Sequence, residues 1–169
     1  MNVSSPTVRR FAANEWRIYR ALRLQALRDA PDAFGSTLAR EEAFPDEEWI
    51  RRIETGAGSP LDFPLVVEDD TRPIGLAWAR IAADDREVAE LYQVWIDPAY
   101  RRRGVGHRMI DATLDWARSA GVRQMHLAVA LGSDSALDFY RRLGFVESGD
   151  PVPLRDGSTT LKQEMRRTL

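Results

Sequence analysis

The chain has 169 residues, 44% hydrophobic and 30% charged, with a net charge of −2, the balance of one soluble globular domain with a core of its own. It contains no cysteine, which excludes a disulfide framework, a thiolate nucleophile and a Cys-ligated metal, and the near-neutral total gives no reason to expect nucleic acid as a partner. No apolar run approaches the roughly eighteen residues of a membrane span, and residues 1–10 lack the hydrophobic core of a signal peptide, so the expected location is the cytoplasm.

Residues 8–12 form the first strand candidate. Asn14 is placed to cap a helix, along which Trp16, Tyr19, Leu22, Ala26 and Leu27 recur at helical spacing as a core stripe. Residues 29–36 break it with proline, glycine and aspartate. A second helix runs from Asp46 through Trp49, Ile50 and Ile53, with Gly56 as its stop. A strand follows at 63–68, a hairpin turn at 69–72, its partner strand at 73–83 and another turn at Asp84-Asp85. No repeat or linker divides the chain, so residues 1–169 read as a single domain.

The stretch Glu90-Leu-Tyr-Gln-Val-Trp-Ile-Asp-Pro-Ala-Tyr-Arg-Arg-Arg-Gly-Val-Gly106 organises the rest. Its aliphatic and aromatic residues suit a buried strand, and Asp97-Pro98 stops it. Ala89 and Leu91 share one face by parity while Val94 and Ile96 share the other. A β-bulge near Gln93 explains that pattern, and so does a strand buried on both faces. Beyond the proline, Gly104 and Gly106 let the backbone approach a ligand closely. The helix that follows aims its free N–H groups and positive dipole end into an arginine-rich loop, a site for phosphate. A P-loop is excluded because His107-Arg108 stands where Lys-Ser/Thr is needed. A dinucleotide fingerprint is excluded because position 109 is Met, not Gly. Arg-x-x-Gly-x-Gly, met by Arg101, Gly104 and Gly106, is what remains.

In the helix after Gly106, Met109, Ile110, Thr113, Leu114 and Ala117 lie on one side, and residues 119–121 end it. Residues 124–130 are the fifth strand. Residues 133–143 form a short helix, capped by Ser133 or Ser135 and ended by Gly144. Residues 145–147 and 159–166 are two last strands, antiparallel to each other. A strand-helix-strand unit between flanking strands makes a mixed sheet with helices on both faces.

The Arg/Gly loop with its preceding strand and Asp-Pro resembles the acetyl-coenzyme A loop of the GNAT superfamily of N-acetyltransferases. The stretch from Leu127 to Phe145 resembles that family's other signature, a strand and a short helix ending in Tyr-x-x-Leu-Gly-Phe, met by Tyr140, Leu143, Gly144 and Phe145. Ala136 matches the small residue four before the tyrosine. Ser133 departs from the family's frequent asparagine. The resemblance covers about residues 8–166, with motifs over 87–145. It implies an α/β (α+β) GNAT-like fold: a mixed, mostly antiparallel sheet of six or seven strands, a central splayed parallel pair and about four helices on both faces.

The resemblance also implies the chemistry. Acetyl-CoA is the expected co-substrate, its pyrophosphate lying on the N–H groups of Arg102, Arg103, Gly104, Val105, Gly106 and His107, with Arg101 and Arg103 the side chains best placed to help. Its pantetheine arm is expected along Val94 and Ile96 in a gap opened by a bulge, and the N–H of Val94 or Trp95 at the thioester oxygen. Ser133 and Tyr140 complete the expected cofactor contacts. An amine acceptor has to lose a proton before it attacks; Glu90 is the expected base or water relay and Glu87 the second choice. Tyr140 is the expected general acid to the departing thiolate. Without cysteine, transfer is direct.

Of the two histidines, His107 serves through its backbone and His126 reads as a core residue, so no metal is expected. Asp32, Glu41, Glu42, Asp84 and Asp85 are expected to give the acceptor pocket an acidic rim. The acceptor class is a primary amine of a small molecule or peptide, with no nucleic-acid or membrane partner; the resemblance also allows a homodimer. Two other readings remain open: a non-catalytic acyl-CoA-binding or sensing domain, and a nucleic-acid module built on Arg101, Arg102 and Arg103.

Overall fold

The computed structural model describes residues 5–132 and 134–169. The elements in chain order are β1 (Thr7–Arg10), α1 (Trp16–Asp29), α2 (Leu38–Glu42), α3 (Asp46–Gly58), β2 (Asp62–Asp69), β3 (Arg72–Ile81) and β4 (Val88–Ile96). A 3-10 turn, Pro98–Tyr100, leads to α4 (Val105–Ser119), β5 (Gln124–Ala130), α5 (Asp134–Arg142), β6 (Val146–Glu147), β7 (Val152–Pro153) and β8 (Leu161–Thr168). The strands form one sheet ordered β1-β2-β3-β4-β5-β8-β6, with β7 also on β8. Among the described residues only β4 and β5 pair in parallel, joined by α4 as their crossover. The sheet is therefore mixed and mostly antiparallel as expected, with eight strands among the described residues rather than six or seven and five α-helices rather than about four. Among the described residues no helix is long and apolar enough to cross a membrane.

Two apolar clusters sandwich the sheet. One joins α1 and α3 to the sheet through Tyr19, Leu22, Leu27, Trp49, Ile53, Trp78 and Trp95. The other joins α4 and α5 through Met109, Ile110, Leu114, Leu137, Tyr140 and Phe145. The helical stripes read from spacing are the faces that bury, since residues three or four apart lie on one side of a helix. Tyr19, Leu22, Ala26 and Leu27 of α1 are buried, and so are Met109, Ile110, Thr113, Leu114 and Ala117 of α4.

Two local expectations fail for physical reasons. Asn14 does not cap α1. The cap residue is Glu15, and its carboxylate accepts from the Ala12 N–H at 2.8 Å and from Arg9 of β1 at 2.8 Å. Gly56 does not stop the second helix, because α3 runs on to Gly58. A Cβ at Gly56 would lie 2.2 Å from the Trp78 ring, so this glycine is a packing residue where helix meets sheet.

The parity change in β4 is a bulge. Trp78 pairs with Tyr92 and Leu76 with Trp95, so Ala77 alone faces two residues, Gln93 and Val94. Gln93 takes a left-handed φ of 57°, which costs a non-glycine residue about 1–2 kcal/mol. Its side chain is held there by the Tyr19 hydroxyl, which donates to its Oε1 at 3.0 Å. Across the bulge, Ala89, Leu91, Val94 and Ile96 all belong to the α4 side, and Tyr92 and Trp95 to the α1 side.

Candidate active site

The Arg/Gly loop folds as a cradle at the start of a helix. Gly104 precedes α4 with a φ of 77°, a conformation glycine takes freely. The first helical bond is donated by Arg108 N–H to the Gly104 carbonyl at 3.2 Å. The N–H groups of Val105, Gly106 and His107 thus precede the helical ladder and face the loop with the positive end of the dipole. Gly106 does different work: a Cβ there would sit 3.1 Å from the Phe139 ring of α5. The close approach brings His107 edge-on to Phe139 at 5.2 Å, Phe139 to Tyr140 at 5.1 Å and Tyr140 to Phe145 at 5.7 Å. A chain of rings therefore connects the cradle to Tyr140.

The arginines divide their labour. Arg101 is not a free phosphate ligand: its Nη2 donates to Asp29 at the end of α1, and its Nε to the Ile96 carbonyl at 2.9 Å. The same Asp29 oxygen accepts from Trp95 Nε1 at 2.9 Å. Desolvation pushes the Asp29 carboxyl up, but the Trp95 and Arg101 hydrogen bonds outweigh it and hold the group below the usual range. One carboxylate thereby ties α1, the bulged strand and the Arg/Gly loop together. Arg102 is exposed with a φ of 61°, and exposed Arg103 lies over the Tyr100 ring at 5.6 Å. The Ile96 carbonyl, expected along the pantetheine path, is engaged by Arg101; Val94 faces the gap without that tie.

The parallel ladder between β4 and β5 ends at Leu91↔Leu127. Beyond it the strands part, and a cleft of about 770 Å³ opens between Leu91–Val94 and Leu127–Leu131. Tyr140 and Ala136 of α5 form one wall, residues 30–36 another, and Leu154, Thr160 and Lys162 a third. Tyr140 is 8% exposed, and desolvation pushes its phenol well above the ordinary value. Ser133 lies outside the described residues.

The two candidate bases fare differently. Glu87 pairs with Arg123 at 3.1 Å near the start of β4, away from the cleft; a charged strand-end residue across from an arginine is held as an ion pair. Glu90 is exposed and also outside the cleft lining, but it alternates with buried Ala89 and Leu91 and so shares a face with Tyr92, which does line it. Its register neighbours are Arg80 and His126, and the His126 Nε2 lies 3.1 Å from Gln124 Oε1.

The acidic rim does not form. Glu41 is buried against Arg23, Glu42 pairs with Arg28, and Asp84 and Asp85 lie outside the cleft lining. Of those five, Asp32 alone lines it, with Arg155 at 4.0 Å. Sequence reading placed the 32–36 turn at the pocket, which that turn does line, but singled out none of Arg23, Lys162 and Phe139. Only Phe139 had a local signal, as the residue beside the tyrosine of the Tyr-x-x-Leu-Gly-Phe motif.

The model of the acetyltransferase (GNAT) family matches residues 23–145. An uncharacterized N-acetyltransferase of Methanocaldococcus jannaschii is 39% identical over 88 residues, which are 49% of this chain and 38% of that one. The ribosomal protein bS18 alanine N-acetyltransferase of Salmonella typhimurium is 28% identical over 109 residues, 64% of this chain and 70% of that one. The chain thus spans well under half the length of the first relative. A Salmonella typhimurium protein, solved with its cofactor acetyl-CoA, superposes with a TM-score of 0.80 at 19% identity over 98% of this chain and 95% of its own.

Proposed function

The chain belongs to the acetyltransferase (GNAT) family, and on that premise we propose that it is an N-acetyltransferase moving an acetyl group from acetyl-CoA directly to a primary amine of a small molecule or peptide. The observation that carries the reading is a helix start and an open strand edge brought to the same tyrosine. Its parts are the free N–H groups of Val105 to His107, joined to Tyr140 by the His107–Phe139–Tyr140 ring contacts, and the cleft that Tyr140 shares with the β4 edge at Val94, beyond the end of the ladder to β5. Helix-start N–H groups suit a pyrophosphate and an unpaired strand edge suits an amide-bearing arm, so the residues fit the co-substrate.

Acetyl-CoA supplies the acetyl group as an activated thioester. Val105, Gly106 and His107 hold the phosphates through their backbone, helped by Arg102 and Arg103, while Arg101 fixes the loop from outside. Val94 would offer its backbone N–H to the acyl oxygen; the Trp95 N–H, in register with Leu76, is turned to β3. Tyr140 carries its proton at neutral pH as any phenol does, with burial moving its ionisation further up, and it gives that proton to the departing sulfur. Glu90, on the face of Tyr92, draws the proton from the acceptor ammonium through water, because it does not itself line the cleft. That last point also favours a second reading, an acyl-CoA-binding domain with no turnover.

A thermal melt with acetyl-CoA at ~100 times its dissociation constant is expected to show about 2.7 kcal/mol of stabilisation, roughly 5–10 °C for a domain this size, with no shift from NADH or ATP. Amine-dependent release of free thiol then separates the enzyme from the sensor. No shift at saturation would sink both.

A further inference from the structure

The α1 wall of the cleft holds a group that the reading above leaves unused. Arg23 lines the cleft and is 3% exposed. One end of its guanidinium is fixed: Nε donates to Glu41 Oε2 at 3.0 Å and Nη2 to Oε1 at 2.7 Å. Glu41 is itself 2% exposed and balances the charge. The other end is not fixed. Nη1 is buried and has no hydrogen-bond partner among the described residues. The Phe34 ring lies 4.8 Å from the guanidinium, and Phe34 is also a residue of the cleft wall.

A buried donor left unmatched is costly, and native proteins rarely keep one without a use. Because Glu41 already neutralises the guanidinium, what Nη1 calls for is a lone pair rather than a full negative charge. The rest of the lining points the same way. Lys162 is its other cation, and its ammonium lies 3.3 Å from Glu164. Asp32 is its one carboxylate among the described residues, with a side chain 80% exposed to solvent. A polycation finds no row of carboxylates here. An amine that carries an oxygen close by finds Arg23.

We propose that Arg23 reads the acceptor: its Nη1 donates to an acyl oxygen, of a carboxylate or a carboxamide, carried beside the amine. The acceptor is then an amino acid or a peptide N-terminus rather than an alkylamine or polyamine. This rests on the reading of the cleft as the acetyl-transfer site.

The test uses the full chain and matched acceptor sets: the twenty amino acids and a series of dipeptides, the corresponding amino-acid amides, and amines of the same side chain lacking the acyl carbon. Thiol release from acetyl-CoA gives kcat/KM, and calorimetry gives acceptor and acetyl-CoA binding. Acceptors with the acyl oxygen are expected to exceed the plain amines roughly ten- to a hundredfold. Comparable values for acid and amide would mean that a lone pair is read; preference for the acid would mean that charge adds to it. Arg23→Lys keeps the ion pair with Glu41 and removes the Nη1 donor, so that ratio collapses towards one while acetyl-CoA affinity holds. If Arg23→Lys does not fold, Arg23→Met with Glu41→Leu removes both charges together and gives the same readout.

Three results overturn the proposal. Plain amines serve as well as amino acids; or no amino acid, amide or dipeptide is bound or turned over by protein that binds acetyl-CoA; or the variant slows all acceptors by one common factor, which is what a merely structural arginine would do. Failure to bind acetyl-CoA at all is a separate outcome, visible in the cofactor titration, and it removes the acetyl-transfer reading together with this one.

Discussion

Tyr140 belongs at once to the core and to the cleft wall, and that double membership sets its chemistry. A phenol is neutral at neutral pH in any case and burial moves its ionisation further up, so it stands there as a proton donor and not as a base. Tyr140→Phe is expected to lower kcat by about 10²–10⁴-fold with unchanged acetyl-CoA affinity in calorimetry; equal loss in both would make it a packing residue. Glu90→Gln should lower turnover most at low pH, where the acceptor is fully protonated, and the wild-type difference should shrink as the pH approaches the amine's own pKa. A flat ratio across the pH series would remove Glu90 from proton transfer. At this scale the sequence was only partly legible. Tyr140 stood out because it ends a motif. Arg101 was misread because its partner Asp29 is 72 residues away, and Arg23 was invisible among the many arginines of α1, since nothing local distinguishes a buried one from a solvated one.

The element that makes the site is the bulge in β4. It was legible because the side-chain period of a strand is two, so an inserted residue leaves a phase jump between Leu91 and Val94. The helix stripes were legible for the same kind of reason. The short elements were not: α2 has five residues and β6 and β7 have two each, too few to show a period. Gln93→Val is expected to destabilise the fold by about 1–3 kcal/mol in urea titration, since a β-branched residue resists a positive φ. Acetyl-CoA binding should weaken as β4 straightens against β5. Gly56→Ala should also destabilise, by about 1–3 kcal/mol, although helix propensity alone favours alanine by ~1 kcal/mol. Packing wins because Trp78 cannot swing away: its Nε1 donates to Asp62 at 2.8 Å. A higher midpoint for Gly56→Ala would refute this account of the helix-sheet contact.

Across the whole molecule, the stability-pH profile should be a plateau with two physical edges. At the acid edge, hydrogen bonds from Arg9 hold the Glu15 carboxyl low, and those from Trp95 and Arg101 do the same for Asp29 against desolvation. A depressed carboxyl stabilises the fold above its unfolded value, near 4, and that stabilisation is lost as pH falls. At the alkaline edge, desolvation raises Tyr19, Tyr92 and Tyr140. Each contributes fully below the unfolded phenol value near 10 and progressively less above it, because the unfolded chain ionises first. Chemical denaturation from pH 3 to 11 should show both edges, the upper one shallower in Tyr140→Phe. A profile flat to pH 11 would mean that these rings are hydrated in solution. The mixed sheet with its one parallel pair was legible from the strand-helix-strand order. The eighth strand and fifth helix were not, being products of tertiary pairing.

The carboxylate of Asp29 has a consequence for anyone who would re-engineer acceptor choice. Residues 30–36 wall the cleft and begin one residue after it, which makes them an inviting segment to exchange between relatives. A graft that replaces Asp29 along with them also strips Arg101 and Trp95 of their shared acceptor, and the loss would surface as weakened cofactor affinity. A graft that begins at Ala30 leaves the hinge post standing, and the exchanged segment can then be judged on its acceptor alone.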